Sequence, residues 1–187
     1  GHASELRARV FAGAAIGVLY LLAQKLAGNR AAAAVGTAIF ALSPAWWSQA
    51  TIAEVYALNG LFVASFLYAL LRWEESRRQG TEVSGQKSGM GWQPPTSNLQ
   101  PPTSHDAWLA AAALAFGLGL AHHRTIALLA PAALVLIVWA DPALLRQPRR
   151  WVWPLLCALT PLLFYLYLPL RGAQGSTSLD GTYAPTL

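Results

Sequence analysis

Long apolar segments separated by shorter polar ones dominate the pattern along the chain. Five apolar runs lie at roughly 9–27, 31–43, 52–72, 107–140 and 151–170. A helix needs about 20 apolar residues to cross the hydrocarbon core of a bilayer. The fourth run is too long for one span. It breaks near Ala121-His122-His123-Arg124, which predicts two helices joined by a tight polar turn. The pattern therefore predicts an all-α, polytopic transmembrane bundle of about six membrane helices.

The polar segments predict how the chain is organised. Segment 73–106 carries basic residues and a repeated Gln-Pro-Pro-Thr-Ser, which cannot bury a core, so it predicts a flexible cytoplasmic loop. We expect residues 1–172 to form the transmembrane domain and 173–187 to begin an extracytoplasmic loop. Residue 1 is Gly and the single Met is Met90, so we expect a fragment of a longer protein.

A helix start is predicted at Ser43-Pro44, because Ser is a good N-cap and Pro suits the first helical position. Trp46 and Trp47 follow, and Trp prefers the membrane interface. We therefore expect a short interfacial helix over 44–51. Glycines at 117 and 119 predict close helix packing. The tryptophans predicted to form a cytoplasmic-side belt are Trp73, Trp108, Trp139, Trp151 and Trp153.

Composition and charge narrow the class of protein. Hydrophobic residues make up 55% of the chain and charged residues 11%, whereas a soluble domain carries about 25% charged residues. This excludes a soluble enzyme. The net charge is +5, but the basic residues flank apolar runs, which fits membrane orientation rather than nucleic-acid binding. The single cysteine, Cys157, allows no intrachain disulfide and suggests no thiolate metal site.

The positive-inside rule predicts which residues share a side of the membrane. With segment 73–106 in the cytoplasm, nine of the thirteen Lys and Arg residues lie on the cytoplasmic side. Arg7 and Arg9 are exceptions to the rule, because this orientation places them on the outer side. The polar and aromatic residues predicted to converge on the outer side are Trp46, Trp47, Glu54, Tyr56, His122, His123, Arg124 and Arg171.

Glu54 is the one acidic residue inside an apolar run, and a carboxylate near lipid depth is by default a functional-site hypothesis. The alternative is an interfacial ion pair with Arg124 or Arg171. His122 and His123 are adjacent, so their side chains would diverge by about 100° on a helix, which disfavours joint metal binding, and we predict no metal site. Arg124 suits bidentate phosphate contact, with the histidines as donors; the alternative is an ordinary polar turn.

Three strings carry a resemblance to a known family. They are Ser43-Pro-Ala-Trp-Trp-Ser-Gln-Ala-Thr-Ile-Ala-Glu-Val-Tyr-Ala-Leu-Asn59, Gly117-Leu-Gly-Leu-Ala-His-His-Arg-Thr125 and Tyr165-Leu-Tyr-Leu-Pro-Leu-Arg171. In this order they resemble the bacterial polytopic proteins that are similar to the metazoan transmembrane protein O-mannosyltransferase, within the GT-C class of glycosyltransferases. By composition alone the third string is an aromatic belt with an Arg anchor.

The resemblance implies an enzyme of the bacterial plasma membrane that transfers a sugar from a polyprenyl-phosphate-linked donor. The acceptor is a protein or glycan on the extracytoplasmic side, and no other cofactor is implied. Glu54, Tyr56, His122, His123, Arg124 and Arg171 would bind the substrates. The family has its catalytic acidic residue in a Gly-Asp-Ser-Gly-Glu loop that this sequence lacks, so we expect that residue upstream and no activity from this chain alone.

Two other functions remain open at this point. A transporter or flippase for a lipid-linked or anionic solute would use helices broken near Pro44 and His122. It would also place polar residues near mid-membrane in a repeat, and no convincing repeat occurs in the sequence. A non-catalytic membrane subunit would use the same aromatic and basic residues as anchors only.

Overall fold

A computed structural model describes residues 2–52, 54–87 and 104–173, and all regular structure in these ranges is helical. The α-helices are α1 (His2–Ala27), α2 (Arg30–Ala41), α3 (Pro44–Ile52), α4 (Glu54–Lys87), α5 (Ser104–His122), α6 (Ala130–Ala140), α7 (Val152–Leu159) and α8 (Phe164–Ala173). Short 3₁₀ helices lie at Arg124–Leu129, Pro142–Arg146, Pro148–Trp151 and Thr160–Leu163. The predicted all-α class is confirmed.

Local sequence signals set the boundaries of the first helices. Gly28 has φ of 62°, a left-handed conformation that ends α1. Asn29 then caps α2, because its Oδ1 accepts hydrogen bonds from the backbone N–H groups of Ala31 (2.8 Å) and Ala32 (3.2 Å). The N-cap predicted at Ser43 is confirmed: its Oγ accepts from the Trp46 N–H at 3.3 Å, and α3 begins at Pro44.

The loop predicted at 73–106 is wrong for residues 73–87 and 104–106, which are helical. Helix α4 continues to Lys87 because residues 73–87 support a charged helix. Arg78 pairs with Glu74 one turn earlier, and the Ser76 hydroxyl donates to the Arg72 carbonyl at 2.8 Å. At the other end of the segment, α5 already includes residues 104–106. Residues 88–103, with nearly all of the repeat, lie outside the described residues.

The last apolar run is divided, although we predicted one continuous helix over 151–170. Helix α7 ends at Leu159, a 3₁₀ helix covers Thr160–Leu163, and α8 follows. Pro161 lies in the first turn of the 3₁₀ helix and Pro169 inside α8. Proline lacks the N–H that an α-helix needs and crowds the preceding turn, so prolines in this run account for its division.

The main hydrophobic core lies between α4 and α5 and extends to α6. Its fully buried members include Trp73 and Leu144, each with 0% of its surface exposed, and Ala112, with 1%. Trp73 is therefore a core residue and not the belt residue predicted from the sequence. Trp139 and Trp153, by contrast, are 84% and 63% exposed. A smaller core joins α1 to α4 through Ala12 and Ala57.

Close helix approach requires the glycines at 117 and 119, as predicted. A Cβ added to Gly117 would lie 2.2 Å from the backbone oxygen of Ala158, where α5 meets α7. A Cβ on Gly119 would lie 2.4 Å from the Cδ1 atom of Ile126 and 3.2 Å from the Cβ atom of Phe62. Gly119 thus lets the 3₁₀ helix Arg124–Leu129 fold back against α5.

Contacts between residues far apart in the chain define two ends of the bundle. At one end, Asn59 near the start of α4 meets Thr125 just beyond α5. At the other, Lys25 at the end of α1 pairs with Glu75 on α4, and Arg150 pairs with Asp106 at the start of α5. Helices α1 and α4 are therefore parallel, and α5 is antiparallel to both. Over its described ranges the chain passes between the ends six times, along α1, α2, α4, α5, α6 and α7–α8.

Whether a helix could cross a membrane depends on its length and on how apolar it is. Among the described residues, the segment Leu6–Ala27 is long and apolar enough to do so. Three shorter apolar helices lie at Arg30–Ala41, Asp106–His122 and Arg124–Ala140. The predicted number of membrane helices stays a prediction.

One end of the bundle, the ion-pair end, is defined by Lys25, Glu75, Arg77, Asp141 and Arg150. Asp141 is buried, with 2% of its surface exposed. Its Oδ2 accepts from the Arg150 Nη1 at 2.9 Å and also pairs with Arg77. The Arg150 Nη2 donates to Asp106 at 3.0 Å. These bonds tie α4, α5 and the segment after α6 together through two carboxylates, those of Asp141 and Asp106.

Lys25 and Glu75 join α1 to α4 in the same region. The hydrogen bond from Lys25 lowers the pKa of the Glu75 carboxyl below its ordinary value, aided by the nearby charges of Lys25 and Arg72 and opposed by partial burial. The ion-pair end is thus a set of matched charges that fastens the helices.

Candidate functional site at the histidine end

The opposite end, the histidine end, is defined by Tyr56, Asn59, His122, His123 and Arg124. Tyr56 and Asn59 lie in the first two turns of α4, while His122 ends α5 and Arg124 begins the 3₁₀ helix Arg124–Leu129. Between the two helices, His123 takes an extended conformation (φ −149°, ψ 122°). The break predicted near residues 121–124 is confirmed, and it brings polar residues from two distant parts of the sequence together.

A chain of hydrogen bonds holds the His123 ring. The Asn59 Nδ2 donates to the Thr125 Oγ1 at 3.5 Å, and the Thr125 hydroxyl lies 2.8 Å from the His123 Nδ1. The Thr125 backbone N–H also donates to this Nδ1, at 3.4 Å. A ring nitrogen that accepts from a backbone N–H carries no proton, so the network assigns the proton of the neutral ring to Nε2. His123 therefore presents Nε2–H as a fixed donor.

The two adjacent histidines pack against different rings of α4. The His123 ring lies 6.0 Å from Tyr56, tilted by 45° between ring planes. The His122 ring lies 6.0 Å from Phe62, in an edge-on arrangement at 72°. Each imidazole is thus oriented by its own aromatic neighbour. This arrangement supports two separate donors rather than a paired ligand set.

Arg124 differs from Arg77 and Arg150, the two paired arginines of the ion-pair end. Its side chain is exposed, and its guanidinium makes no ion pair with any residue that the structure describes. The planar guanidinium offers several N–H donors in a geometry that matches two oxygens of a phosphate. Beside the His123 donor, Arg124 therefore forms a cationic surface that is open to an anionic ligand.

Helix α8 is attached to this site through Tyr165, whose hydroxyl donates to the carbonyl of Ala121 at 3.0 Å. Tyr165 therefore joins α8 to the end of α5, and the belt role predicted from composition stays a prediction. Arg171 follows on the same helix, and Glu54 is the first residue of α4. The side chains of both lie outside the described residues, so the predicted pairing of Glu54 with Arg124 or Arg171 stays a prediction.

Of the predicted binding residues, the structure brings together Tyr56, His122, His123 and Arg124. Two further residues, Asn59 and Thr125, were not predicted to take part in the site. The Oδ1 of Asn59 is buried without a hydrogen-bond partner among the described residues, which marks this side chain as unusual. A polar amide inside the apolar run 52–72, one turn after Tyr56, was the signal that could have identified it.

Comparisons with known proteins add one match. Residues 6–146 match the model of the family described as the Protein O-mannosyl-transferase TMEM260 N-terminal domain. The matched range covers more than half of the chain and includes Tyr56, Asn59, His122, His123 and Arg124 of the histidine end. No curated protein matches the chain, and no solved structure matches it.

Proposed function

The chain belongs to the family of the Protein O-mannosyl-transferase TMEM260 N-terminal domain, and from this membership we propose that it is part of a membrane glycosyltransferase. The enzyme transfers a sugar from a polyprenyl-phosphate-linked donor to a protein or glycan acceptor. The reaction takes place on the extracytoplasmic side of a bacterial plasma membrane. The proposal includes a multi-pass bundle of the GT-C class.

Helix lengths and exposed apolar surface support the multi-pass bundle. Besides the span at Leu6–Ala27, α5 has 19 residues, which at about 1.5 Å per residue rise about 28 Å. That length approaches the roughly 30 Å of a bilayer core. Helices α6 to α8 expose large apolar side chains, among them Val135, Leu159 and Phe164. Exposed apolar side chains in such number suit lipid better than water.

The observation that carries the proposed reaction is the pairing of an open Arg124 with the fixed Nε2–H donor of His123. In sugar transfer from a lipid phosphate, the phosphate oxygen gains negative charge as the sugar leaves. Donors that are already in place stabilise such charge most effectively, because they need no reorganisation during the reaction. Arg124, His122, His123 and Arg171 would bind this phosphate, while Glu54 and Tyr56 would orient the sugar.

The proposed sugar transfer forms one bond and breaks one. The acceptor hydroxyl oxygen forms a bond with the anomeric carbon, and the bond from that carbon to the phosphate oxygen breaks. The bonding electron pair goes to the leaving phosphate, and an acidic residue acting as general base takes the hydroxyl proton. We assign that base to the family's acidic loop and to no residue of this chain, so Glu54 keeps a binding role.

The test is sugar transfer by the full-length protein from a polyprenyl-phosphate-linked mannose to an acceptor, measured for the native protein, Arg124→Ala and Glu54→Gln. We expect transfer by the native protein and large losses in both variants. If both variants retain full activity, the assignment of this site is wrong. If the native full-length protein transfers no sugar, the proposed function itself is wrong.

A transporter or flippase for a lipid-linked solute is the second candidate, and the interruption of helical structure at His123 favours it, because transporters often bind solutes at broken helices. The two functions differ in their products. A flippase moves the labelled lipid-linked sugar across a vesicle membrane unchanged, whereas a transferase releases polyprenyl phosphate and labels the acceptor. A protein that does neither would be a non-catalytic subunit.

A further inference from the structure

The amide of Asn59 at the histidine end is only half satisfied. Its Nδ2 donates to the Thr125 Oγ1 at 3.5 Å, which is long for a hydrogen bond. Its Oδ1 is buried and has no hydrogen-bond partner among the residues that the structure describes. A buried acceptor without a donor is costly and rare in folded proteins. The unpaired oxygen therefore needs a physical reason, and its neighbours supply one.

While the His123 ring is neutral, three side chains form one directed chain of hydrogen bonds. Asn59 donates to the Thr125 oxygen, and the Thr125 hydroxyl, 2.8 Å from the ring, donates to the His123 Nδ1. The Thr125 backbone N–H donates to the same nitrogen at 3.4 Å. In this state Nδ1 is an acceptor and Nε2 carries the proton of the ring.

A proton added to His123 reverses the direction of this chain. Nδ1 becomes a donor, and the Thr125 oxygen lies within its reach at 2.8 Å. The Thr125 hydroxyl then has to donate to another acceptor, because its oxygen receives the proton of the ring. When the Asn59 amide turns about its Cβ–Cγ bond, Oδ1 takes the place of Nδ2 and supplies that acceptor. The Nε2–H group remains a donor in both states.

The two orientations of the Asn59 amide are closely balanced. In the present one, Nδ2 is bonded to Thr125 and Oδ1 is unpaired among the described residues. In the reversed one, Oδ1 is bonded and Nδ2 is unpaired. An unpaired buried donor and an unpaired buried acceptor cost comparable free energy. The protonation state of His123 therefore determines the orientation of the amide.

The charges around His123 determine when the ring takes up a proton. The titratable groups that face or adjoin the ring are Tyr56 on α4, His122 on α5, Arg124 and, through the Ala121 carbonyl, Tyr165 on α8. Glu54 and Arg171 also belong to α4 and α8, with side chains outside the described residues. The described carboxylates lie at or beside the ion-pair end: Glu74, Glu75, Asp106 and Asp141.

This arrangement makes a charged His123 ring dependent on a bound anion. In the empty site the ring adjoins the Arg124 guanidinium, and no described carboxylate at this end offsets a second positive charge. A bound phosphate with two negative charges turns that repulsion into attraction. A ligand with one negative charge is already matched by Arg124 alone. The site therefore responds to the second charge of its ligand.

We propose that the histidine end binds a phosphate monoester dianion, with Arg124 and a protonated His123 as its two cations. Thr125 and Asn59 are positioning residues, which reverse their hydrogen bonds as Nδ1 takes up a proton from solvent. This inference rests on the proposed function, in which the donor is a phosphodiester with one negative charge and the released polyprenyl phosphate is a monoester with about two. The site thus matches the leaving group more closely than the donor, and such a difference lowers the barrier to transfer.

The test measures ligand binding and proton uptake together, without any turnover. Purified full-length protein is titrated by calorimetry at neutral pH, in two buffers that differ in ionisation enthalpy. The probes are citronellyl phosphate, which is a monoester, and citronellyl methyl phosphate, which is a diester. We expect the monoester to bind at least tenfold more tightly, which corresponds to about 1.4 kcal/mol, and to bring up to about one proton into the complex. The diester should bring none.

Inorganic sulfate shows where that proton goes. Sulfate stays a dianion near neutral pH, so a proton that is taken up when sulfate binds must enter the protein. We expect such an uptake in the native protein and none in His123→Gln. In His122→Gln, by contrast, binding should weaken while the uptake remains.

Further variants test the chain behind the ring. Thr125→Val and Asn59→Leu interrupt it, so both should reduce the proton uptake and the preference for the monoester. Thr125→Ser keeps the hydroxyl and should restore both. Thr160→Val is the matched control, because the Thr160 hydroxyl donates to the Leu156 carbonyl of the preceding helix.

Asn59→Asp tests the direction of the effect. A carboxylate at this position accepts from the Thr125 hydroxyl in either orientation and adds a negative charge, so it favours the charged ring before any ligand binds. The imidazole nitrogen NMR signals of histidine-labelled protein should therefore show a charged His123 in Asn59→Asp without ligand. In the native protein they should show it only with the monoester bound.

Several outcomes would overturn the proposal. One is equal binding of the monoester and the diester, and another is native proton uptake in His123→Gln. Native uptake in both Thr125→Val and Asn59→Leu would overturn the role of the chain. If the full-length protein binds the monoester with proton uptake but transfers no sugar, the proposed function is wrong and the binding site stands.

Discussion

At the ion-pair end, Asp141 is bound by both Arg77 and Arg150, and Arg150 also reaches Asp106. At the histidine end, Arg124 is exposed and makes no ion pair within the described residues, although it lies beside ordered polar side chains. An arginine that pairs with a buried carboxylate stabilises the fold. Exposure alone does not distinguish Arg124, since Arg146 and Arg149 near the other end are exposed as well. What distinguishes it is its place beside the hydrogen-bonded His123, and on that basis we propose that the histidine end binds an anionic ligand while the ion-pair end stabilises the fold.

The largest effect is expected at Asp141. Asp141→Ala removes the buried carboxylate that two partly buried arginines, Arg77 and Arg150, share, which costs about 3–5 kcal/mol. Thermal unfolding in one detergent should show a large loss of stability or no folded protein. Asp141→Asn keeps the volume and one acceptor and should lose less. A native-like unfolding temperature in Asp141→Ala would remove the basis for treating this end as the fastening of the fold.

Arg150 and its neighbour Arg149 can be compared directly, because, of these two described residues, only Arg150 makes the charged hydrogen bonds of the ion-pair end. Arg150→Gln breaks two charged hydrogen bonds, at 2.9 Å to Asp141 and 3.0 Å to Asp106, and should cost about 2 kcal/mol. The adjacent Arg149 is exposed, so Arg149→Gln should leave the unfolding temperature unchanged. Equal losses in the two variants would mean that net charge, and not the geometry of the pairs, stabilises this end.

At the histidine end, Thr125→Val tests whether the hydrogen-bond chain orients His123. The substitution removes the hydroxyl between Asn59 and the ring while preserving the shape of the side chain. We expect sugar transfer to fall about tenfold, or about 1.4 kcal/mol in barrier height, with an unchanged KM for the acceptor. Thr160→Val is the control, because the Thr160 hydroxyl donates to the Leu156 carbonyl of α7, the helix that immediately precedes it. Similar activities in both variants would show that the chain has no positioning role.

The smallest effect is expected for Lys25 and Glu75. Because the folded state lowers the pKa of Glu75 from 4.5, this carboxylate stabilises the fold above that pH and loses its contribution as the pH falls through the folded pKa. Glu75→Gln should therefore lower the unfolding temperature slightly at neutral pH, since the pair is half-exposed and worth at most about 1 kcal/mol. The difference from the native protein should shrink below pH 4.5. A difference that grows with acidification would contradict the sign.

Periodicity and local signals were enough to predict the helices and their turns, as the N-cap at Ser43 and the break at His123 show. They were also enough to predict that Tyr56 and residues 122–124 share one end of the bundle, because alternating passes determine which junctions meet. The course of residues 73–87 was not predicted, since a polar composition does not distinguish a charged helix from a loop. Trp73 was misassigned for a related reason: burial in a core depends on the partner helices, which a single segment does not specify.

Details of the histidine end depended on tertiary contacts. The proton position on His123 follows from the bonds to Thr125, and the bond from Asn59 spans 66 residues, which no sequence window contains.

The most direct test of the central claim is the rate of sugar transfer per folded protein in Arg124→Gln against Arg146→Gln. Both arginines are exposed and lie in 3₁₀ helices at opposite ends of the bundle, so the two substitutions are matched in type and surroundings. We expect the rate of sugar transfer to fall about 100-fold in Arg124→Gln and to stay unchanged in Arg146→Gln. Both variants should keep the native unfolding temperature. Equal rates in the two variants would contradict the central claim.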